Sequence, residues 1–284
     1  MASQGVASMF ALALLLGAFA SIPQKAEAIG VCYGMSANNL PPASSVVGMY
    51  RSNGITSMRL YAPDQAALQS VGGTGISVVV GAPNDVLSNL AASPAAAASW
   101  VRNNIQAYPS VSFRPPSAAE FTGESQAFMA PVLSFLARTG APLLANIYPY
   151  FSYTYSQGSV DVSYALFTAA GTVVQDGAYG YQNLFDTTVD AFYAAMAKHG
   201  GSGVSLVVSE TGWPSAGGMS ASPANARIYN QNLINHVGRG TPRHPGAIET
   251  YVFSMFNENQ KDAGVEQNWG LFYPNMQHVY PISF

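Results

Sequence analysis

The stretch that decides the fold is VSLVVSETGWP, residues 204–214, in which an apolar run ends on Glu210 and a Gly-Trp-Pro break follows. A run this apolar is typical of a parallel strand covered on both faces, so Glu210 lies where a strand ends and a loop begins. In barrels of parallel strands, that edge carries the chemistry. A glutamate that caps or ion-pairs at a strand end is the alternative. However, Trp213 can wall a cleft while Gly212 and Pro214 fix the turn, which favours a functional role for Glu210.

Short apolar runs alternate with longer amphipathic stretches along the rest of the chain, the pattern of βα units around a parallel sheet. Asp64 and Asn84 have side chains suited to helix N-caps, and Gly54, Gly140 and Gly200 follow helical stretches. We therefore predict an α/β fold. The predicted strands are Ile29–Tyr33, Ser57–Tyr61, Ser77–Gly81, Val111–Arg114, Pro142–Tyr148, Val204–Glu210 and Ile248–Phe256. The predicted helices are Pro42–Ser52, Asp64–Val71, Asn84–Gln106, Glu124–Arg138, Asp186–Lys198 and Pro223–Val237.

The regular spacing of these units breaks at one place. The predicted strand at 111–114 runs directly into Pro115, Pro116 and Ser117, which predict a loop, and then into the predicted helix that starts near Glu124. Proline cannot donate to a β-ladder, so the strand is cut short. Because an eight-stranded α/β barrel needs about 30 residues per unit, we expect one helix and one strand to be missing here.

Composition narrows the possible partners. Charged residues make up 9% of the 284 residues and the net charge is −3, so no basic surface for nucleic acid or anionic lipid is expected. The 16 Tyr, 14 Phe and 3 Trp suit an uncharged ligand such as a glycan. The single cysteine, Cys32, has no partner for an internal disulfide and is predicted to be a buried structural thiol. We expect a monomer without a metal or cofactor.

The first 28 residues differ from the rest of the chain. A short apolar core at 9–21 is followed by the small-x-small sequence Ala26-Glu27-Ala28, which predicts a secretory signal cleaved after Ala28. The core is too short for a membrane-spanning helix, and no later segment has the 18 or so apolar residues that such a helix needs. Residues 29–284 show no linker, so we predict one secreted domain, in the extracellular space or the vacuole.

Several motifs follow one another along the chain: IGVCYG (29–34), MRLY (58–61), ANIYPY (145–150), VSETGWPS (208–215) and MFNENQK (255–261). Together they resemble the plant endo-1,3-β-glucanases of glycoside hydrolase family 17. The resemblance covers essentially all of residues 29–284. It implies a (β/α)8 TIM barrel, which the break at Arg114/Pro115 leaves with about seven strands. It also implies hydrolysis of internal 1,3-β-D-glucosidic bonds in a β-1,3-glucan, with a defence or cell-wall role.

The resemblance also assigns roles to charged residues. It implies that Glu210 is the nucleophile and that Glu258, Lys261 and Glu266 form a charged cluster beyond the last strand. Retaining glycosidases need two carboxyl groups about 5 to 5.5 Å apart, one to form the glycosyl-enzyme and one to protonate the leaving oxygen. Without the resemblance, Glu258 and Lys261 would be interpreted as a solvated i, i+3 ion pair.

Residues near the strand ends are candidates for contact with sugar rings. Aromatic side chains stack on sugar faces, but core burial is the alternative for each of them, because aromatic rings bury well. We favour Tyr33, Tyr148 and Trp213. The full set of predicted substrate-binding residues is Tyr33, Asn146, Tyr148, Trp213, Phe256 and Phe272.

One departure from the family limits the expected activity. The family's general acid is the Glu of a Val-Gly-Asn-Glu motif that closes strand four, and this chain has no such motif. Glu120 and Glu124, the nearest carboxyls after the break, are better interpreted as a loop residue and a first-turn helix residue. General acid catalysis contributes roughly 10²-fold to 10⁴-fold. We therefore expect weak or no hydrolysis.

Three hypotheses remain open from the sequence. The chain is a hydrolase of this family with low turnover, or a non-catalytic β-glucan binder that keeps half of the cleft. The third is a splice or gene-model variant with an unstable fold. The abrupt break between Arg114 and Pro115, with family motifs on both sides, favours an in-frame excision over gradual divergence.

Overall fold

The computed structural model describes residues 29–81, 112–114, 126–156 and 160–284. The predicted signal at 1–28, the predicted helix at 84–106, and Glu120 and Glu124 lie outside the described residues.

The described strands follow the chain from β1 to β9, and the helices from α1 to α7. The strands are β1 (Ile29–Tyr33), β2 (Ser57–Leu60), β3 (Ser77–Val80), β4 (Ser112–Arg114), β5 (Leu143–Asn146), β6 (Val174–Asp176), β7 (Tyr179–Tyr181), β8 (Leu206–Thr211) and β9 (Thr250–Val252). The helices are α1 (Ala43–Ser52), α2 (Gln65–Val71), α3 (Gln126–Thr139), α4 (Pro149–Tyr155), α5 (Val162–Ala165), α6 (Leu184–Lys198) and α7 (Pro223–His236), with a 3₁₀ turn at Val265–Gln267.

One sheet of 7 strands organises the molecule, in the order β4-β3-β2-β1-β9-β8-β5. Every pairing in it is parallel, as alternating strands and helices require. β4 and β5, which flank the break in the sequence, lie at the two ends of this order. The predicted incomplete barrel of about seven strands is therefore confirmed. It places β8, which carries Glu210, between two neighbours, β5 and β9.

The β6–β7 hairpin and the helices α4 and α5 were not predicted from the sequence. The hairpin is antiparallel and largely exposed, so it lacks the apolar run that marks the strands of the sheet. Its two turn residues are Gly177 and Ala178, and a glycine at the first turn position is typical of tight hairpins, which could have revealed it. Helix α4 starts at Pro149, whose missing N–H is tolerated in a first turn.

The core lies between the sheet and its helices. All five residues of β1 are buried, including Cys32, so the prediction of a buried thiol is confirmed. Asp64 caps α2 as predicted, accepting a 2.7 Å hydrogen bond from the N–H of Ala67. In the part of the chain that the structure describes, no helix is long and apolar enough to cross a membrane.

Gly212 allows the ends of β8 and β9 to approach closely. A Cβ atom at this position would lie 2.3 Å from the carbonyl oxygen of Phe253. The same two segments are joined by a 2.7 Å hydrogen bond from the N–H of Phe253 to the carbonyl of Thr211. The predicted turn-forming role of Gly212 therefore has a steric basis: only a residue without Cβ fits beside this backbone.

We expect Gly212→Ala to lower the free energy of unfolding by more than about 2 kcal/mol, because backbone must move to relieve the clash. Urea unfolding of the purified chain measures this difference. Gly203→Ala is the matched control, since a Cβ there would meet no atom within 4 Å. Equal stability of the two variants would contradict the steric argument.

Candidate active site

A cavity of about 650 Å³ lies over the carboxyl ends of the parallel strands. It is lined by residues that end or follow β1, β2, β5, β8 and β9, so the structure places it at the edge that the sequence predicts. The lining side chains that matter most are Tyr33, Tyr61, Asp64, Tyr148, Phe151, Glu210, Phe253, Glu258, Lys261, Glu266 and Trp269.

Glu210 is held at the cavity wall through both carboxylate oxygens. The Arg59 guanidinium donates to Oε1 at 2.9 Å, and the Tyr148 hydroxyl donates to Oε2 at 2.8 Å. The same Arg59 nitrogen donates to the backbone carbonyl of Ser209 at 2.7 Å. Asn146 supports this arrangement, because its Oδ1 accepts a 2.8 Å hydrogen bond from the Ser209 hydroxyl. Charge-assisted bonds of this kind fix the orientation of the Glu210 carboxylate.

The backbone around Glu210 is irregular in the way that often accompanies functional sites. The pairing of β5 with β8 shifts register between Ala145 and Asn146, and the pairing of β8 with β9 shifts between Val208 and Thr211. Register shifts of this kind re-aim side chains at the end of a strand. They bring Glu210 opposite Asn146.

Tyr148 stays a hydrogen-bond donor over the physiological range. Burial raises the pKa of its hydroxyl well above the ordinary value, and the negative charge of Glu210 raises it further. Burial likewise raises the pKa of Tyr33 to about 12. Neutral hydroxyls therefore face the cavity beside the Glu210 carboxylate.

Glu258 and Lys261 form a buried ion pair rather than a solvated one. Glu258 is 2% exposed, and its Oε2 lies 2.9 Å from Nζ of Lys261. Its Oε1 accepts a 2.7 Å hydrogen bond from the N–H of Ser36. Lys261 also lies 4.4 Å from the ring centroid of Phe253. Gly34 leaves room for the carboxylate, because a Cβ there would lie 2.5 Å from both of its oxygens.

Glu266 lies on the 3₁₀ turn and lines the same cavity. Its carboxylate has no hydrogen-bond or ion-pair partner among the described residues. Asp64, by contrast, is occupied with capping α2. The structure thus brings the predicted charged residues Glu210, Glu258, Lys261 and Glu266 to one cavity.

The predicted substrate-binding residues divide into two groups. Tyr33 and Tyr148 line the cavity, and Asn146 lies beside Glu210. Trp213, Phe256 and Phe272 are at most 1% exposed and lie in the core, away from the lining. Stacking of a sugar on these three rings was a wrong prediction, because a ring packed on all sides has no free face.

Trp213 illustrates why the sequence misleads here. Its ring packs at 5.0 Å from Tyr150 and 5.7 Å from Tyr229, and its Nε1 donates to the carbonyl of Ser220 at 3.0 Å. These contacts hold the ring in the core and fix the loop that follows β8. Besides Tyr33 and Tyr148, the aromatic walls of the cavity are Tyr61, Phe151, Phe253 and Trp269, which were not predicted from the sequence.

Arg59 was also missed as a site residue, although the motif at 58–61 contains it. It is the lone charged side chain in the otherwise apolar and small strand β2. A charge in such a strand needs a partner, and that signal alone could have identified it.

In the described residues, no group of three or more His, Cys, Asp or Glu side chains could hold a metal ion.

Cys32 lies behind the nucleophile candidate. Its Sγ lies 3.5 Å from the carbonyl oxygen of Ser209. Burial raises the pKa of the Cys32 thiol to about 12; the charge of Glu210 adds to this shift and that of Arg59 opposes it. The thiol is therefore neutral in the folded chain.

This pKa shift predicts a loss of stability in alkali. Between the ordinary thiol value of 9.0 and about 12, the folded chain binds more protons than the unfolded chain. The free energy of unfolding then falls with rising pH, by at most about 1.4 kcal/mol per pH unit for one thiol. We expect Cys32→Ser to remove this contribution between about pH 9 and 10, as measured by urea unfolding at each pH. The same slope in both proteins would contradict it.

The comparison with known proteins points to one family. Residues 29–114 and 110–284 match Glycosyl hydrolases family 17 in two segments. The chain is 66% identical to Lichenase-2 of Hordeum vulgare over 312 residues, covering 92% of this chain and 100% of that protein. It is 48% identical to the acidic isoform of glucan endo-1,3-beta-glucosidase of Zea mays over 337 residues, covering 100% of both.

Solved structures agree. A plant beta-glucan endohydrolase, one of two described together with distinct substrate specificities, superposes with a TM-score of 0.88 at 66% identity, covering 90% of this chain and 100% of that one. CJP38, a beta-1,3-glucanase and allergen of Cryptomeria japonica pollen, gives a TM-score of 0.87 at 36% identity, covering 91% and 99%.

The two matched segments meet at the break in the sequence, at residues 110–114. The maize alignment has 337 positions and this chain fills 284 of them, so 53 positions have no counterpart here. Family match, sequence identity and superposition all extend over both sides of the break. The chain therefore belongs to glycosyl hydrolases family 17 and is a glycosidase.

Proposed function

We propose that this chain binds a β-1,3-glucan in the 650 Å³ cavity and cleaves internal bonds with Glu210 as the nucleophile of a retaining mechanism. The observation that carries the proposal is the Glu210 carboxylate held by Arg59 and Tyr148 at the wall of that cavity. The glucan endo-1,3-beta-glucosidases of maize and grapevine, at 48% and 45% identity, support the substrate class.

The chemistry follows from the position of this carboxylate. One Glu210 oxygen attacks the anomeric carbon, and the bond from that carbon to the leaving sugar oxygen breaks. Water then hydrolyses the glycosyl-enzyme and regenerates Glu210. Arg59 and Tyr148 orient the carboxylate, which keeps lone pairs free because each oxygen has two. Tyr33, Tyr61 and Phe151 provide surfaces on which the glucan can pack.

Our proposal also holds that this chain has no general acid for the reaction. The split of the family match at 110–114 and the 53 unmatched maize positions support the loss of a segment between Arg114 and Pro115. Without a proton donor, a sugar leaving group departs as an alkoxide, which slows the first step by roughly 10²-fold to 10⁴-fold. A leaving group that is already a good anion needs no proton.

The proposal therefore predicts a strong dependence on the leaving group. We expect measurable turnover of a 2,4-dinitrophenyl β-1,3-oligoglucoside. The corresponding phenyl glycoside and β-1,3-glucan should both be turned over at least about 10²-fold more slowly. Release of the phenol and of reducing ends gives the two rates.

Two variants complete this test. Glu210→Gln removes the nucleophile and should abolish turnover of the activated glycoside. Glu249→Gln is the matched control, since Glu249 precedes β9 at the opposite end of the strand from the cavity. Hydrolysis of glucan as fast as that of the activated glycoside would refute the proposal that the general acid is missing. Unchanged turnover in Glu210→Gln would refute the assignment of Glu210 as the nucleophile.

A second substrate is favoured by one observation. The identity to Lichenase-2 of barley is 66%, against 48% to the maize glucan endo-1,3-beta-glucosidase. Its name indicates lichenan, a β-glucan with 1,4 as well as 1,3 linkages. Hydrolysis of such a mixed-linkage glucan is therefore the second candidate function.

Binding by the inert Glu210→Gln variant separates the two substrates without requiring catalysis. Titration calorimetry with a β-1,3-linked tetrasaccharide and with a mixed-linkage tetrasaccharide gives the two Kd values. The proposed function predicts a lower Kd for the 1,3-linked sugar by at least about tenfold, or about 1.4 kcal/mol. The reverse order would favour lichenan, and no binding of either would favour a chain without glycan activity.

The non-catalytic binder and the unstable variant make different predictions from the proposed enzyme. A binder adsorbs to insoluble glucan but does not turn over the activated glycoside. An unstable variant melts without cooperativity. Sequencing the transcript across the codons for Arg114 and Pro115 tests the excision, because a longer message would make this chain the shortened product of a complete glucanase. Secretion by the signal at 1–28 remains part of the proposal.

A further inference from the structure

A second pocket lies apart from the catalytic cavity and shares no lining residue with it. It measures about 400 Å³ and is enclosed by β7, the start of α6, the end of α7 and the loops beside them. The proposed glucan chemistry uses none of its residues.

Planar polar side chains dominate this pocket. Four of them are amides: Gln182, Asn183, Asn232 and Asn235. Amide side chains present donors and acceptors side by side and match the paired hydroxyls of a sugar. A single ring, Phe167, supplies an apolar surface at the same place.

Several of these polar groups are free. Asn232 uses Nδ2 to bond the carbonyl of Leu166 at 3.0 Å, which leaves its Oδ1 without a partner among the described residues. Among the described residues, no side chain bonds the Gln182 amide or the Arg239 guanidinium. Both side chains are exposed at the pocket and can bond a ligand without breaking an internal contact.

The rest of the pocket is held rigidly. Asp186 accepts from Asn183 Nδ2 at 2.8 Å and lies 2.7 Å from Nε2 of His236. The Asp186 side chain is 6% exposed, so this arrangement forms the floor. A fixed floor with free groups at the rim is the arrangement expected of a preformed binding site.

Phe167 is held in an unusual conformation beside this floor. Its φ is +62°, in the left-handed region that a bulky residue rarely adopts. The ring packs at 5.3 Å from His236, 5.9 Å from Phe185 and 5.6 Å from Tyr229, and it remains half-exposed at the pocket. Backbone strain of this kind clusters at ligand sites.

The charges favour a neutral ligand over an anion. Arg239 is the unpaired cation of the described lining, and the Asp186 carboxylate lies in the same pocket. An anion would meet Arg239 but also lie near that carboxylate, whereas a hydroxyl group can accept from Arg239 or donate to the free Oδ1 of Asn232. The aromatic surface adds a contact for the apolar face of a sugar ring.

We propose that this pocket is a second carbohydrate-binding site that holds a stretch of β-glucan outside the catalytic cavity. The choice of β-glucan as the ligand rests on the proposed function, and the choice of a neutral oligosaccharide rests on the pocket alone. A second contact on the same chain would retain an insoluble polymer near the cavity by raising its effective concentration.

Hydrogen exchange measured by mass spectrometry separates the two sites on the full chain. A β-1,3-linked hexasaccharide should protect the backbone at 180–186 and 232–239 as well as the cavity segments at 33–36 and 253–261. Protection at the cavity alone would overturn the inference. Protection at the second pocket alone would support the inference and overturn the proposed function. If inorganic sulfate protected the backbone at 180–186 and 232–239 and the sugar did not, that result would also overturn the inference.

A double variant gives the matched functional test. Gln182→Ala with Arg239→Ala should remove the protection at the second pocket and weaken adsorption to insoluble β-1,3-glucan by about tenfold, since two hydrogen-bonding groups are lost. Arg51→Ala with Gln69→Ala is the control, because both side chains are exposed on α1 and α2. Equal adsorption by the two double variants would overturn the inference.

Discussion

The contact between Arg59 and Glu210 constrains the whole structure. Arg59 lies on β2 and Glu210 on β8, and β1 and β9 stand between them in the sheet. In a flat sheet these strands would be about 14 Å apart, three spacings of about 4.8 Å. The 2.9 Å contact between Nη1 of Arg59 and Oε1 of Glu210 therefore bridges the two intervening strands, and curling of the sheet brings the two ends of this bridge closer together. The break in the sequence falls between β4 and β5, the two end strands of this order, so it does not separate β2 from β8.

The same curvature explains the rest of the cavity. Tyr148 follows β5, next to β8 in the sheet, so it reaches the second oxygen of Glu210 directly. The loop after β9 carries Glu258 over β1, where Gly34 leaves space for its carboxylate. Each charged group thus receives a partner from a different strand end. Removing an inner strand of the sheet would separate these partners, whereas the break in the sequence falls between the two end strands, β4 and β5, and leaves β5 paired with β8.

The sequence was sufficient for the sheet but only partly for the site. The seven strands could be predicted because buried parallel strands are continuous apolar runs. The β6–β7 hairpin was missed because its strands are short and exposed. Glu210 could be predicted from its place at a strand end. The burial of Trp213 could not, because an aromatic residue after a strand fits a cavity wall and a core equally well until its neighbours are known. Arg59 carried a recognisable signal, a charge within a strand of the barrel.

The central claim is that Glu210 is a nucleophile that this chain still positions without its general acid. Incubation with a 2,4-dinitrophenyl 2-deoxy-2-fluoro-β-1,3-oligoglucoside tests it most directly, because the fluorine slows breakdown of the glycosyl-enzyme and the leaving group needs no proton. Peptide mapping should find one added glycosyl group, on Glu210. A label on another carboxylate, or no label on a folded chain, would contradict the claim.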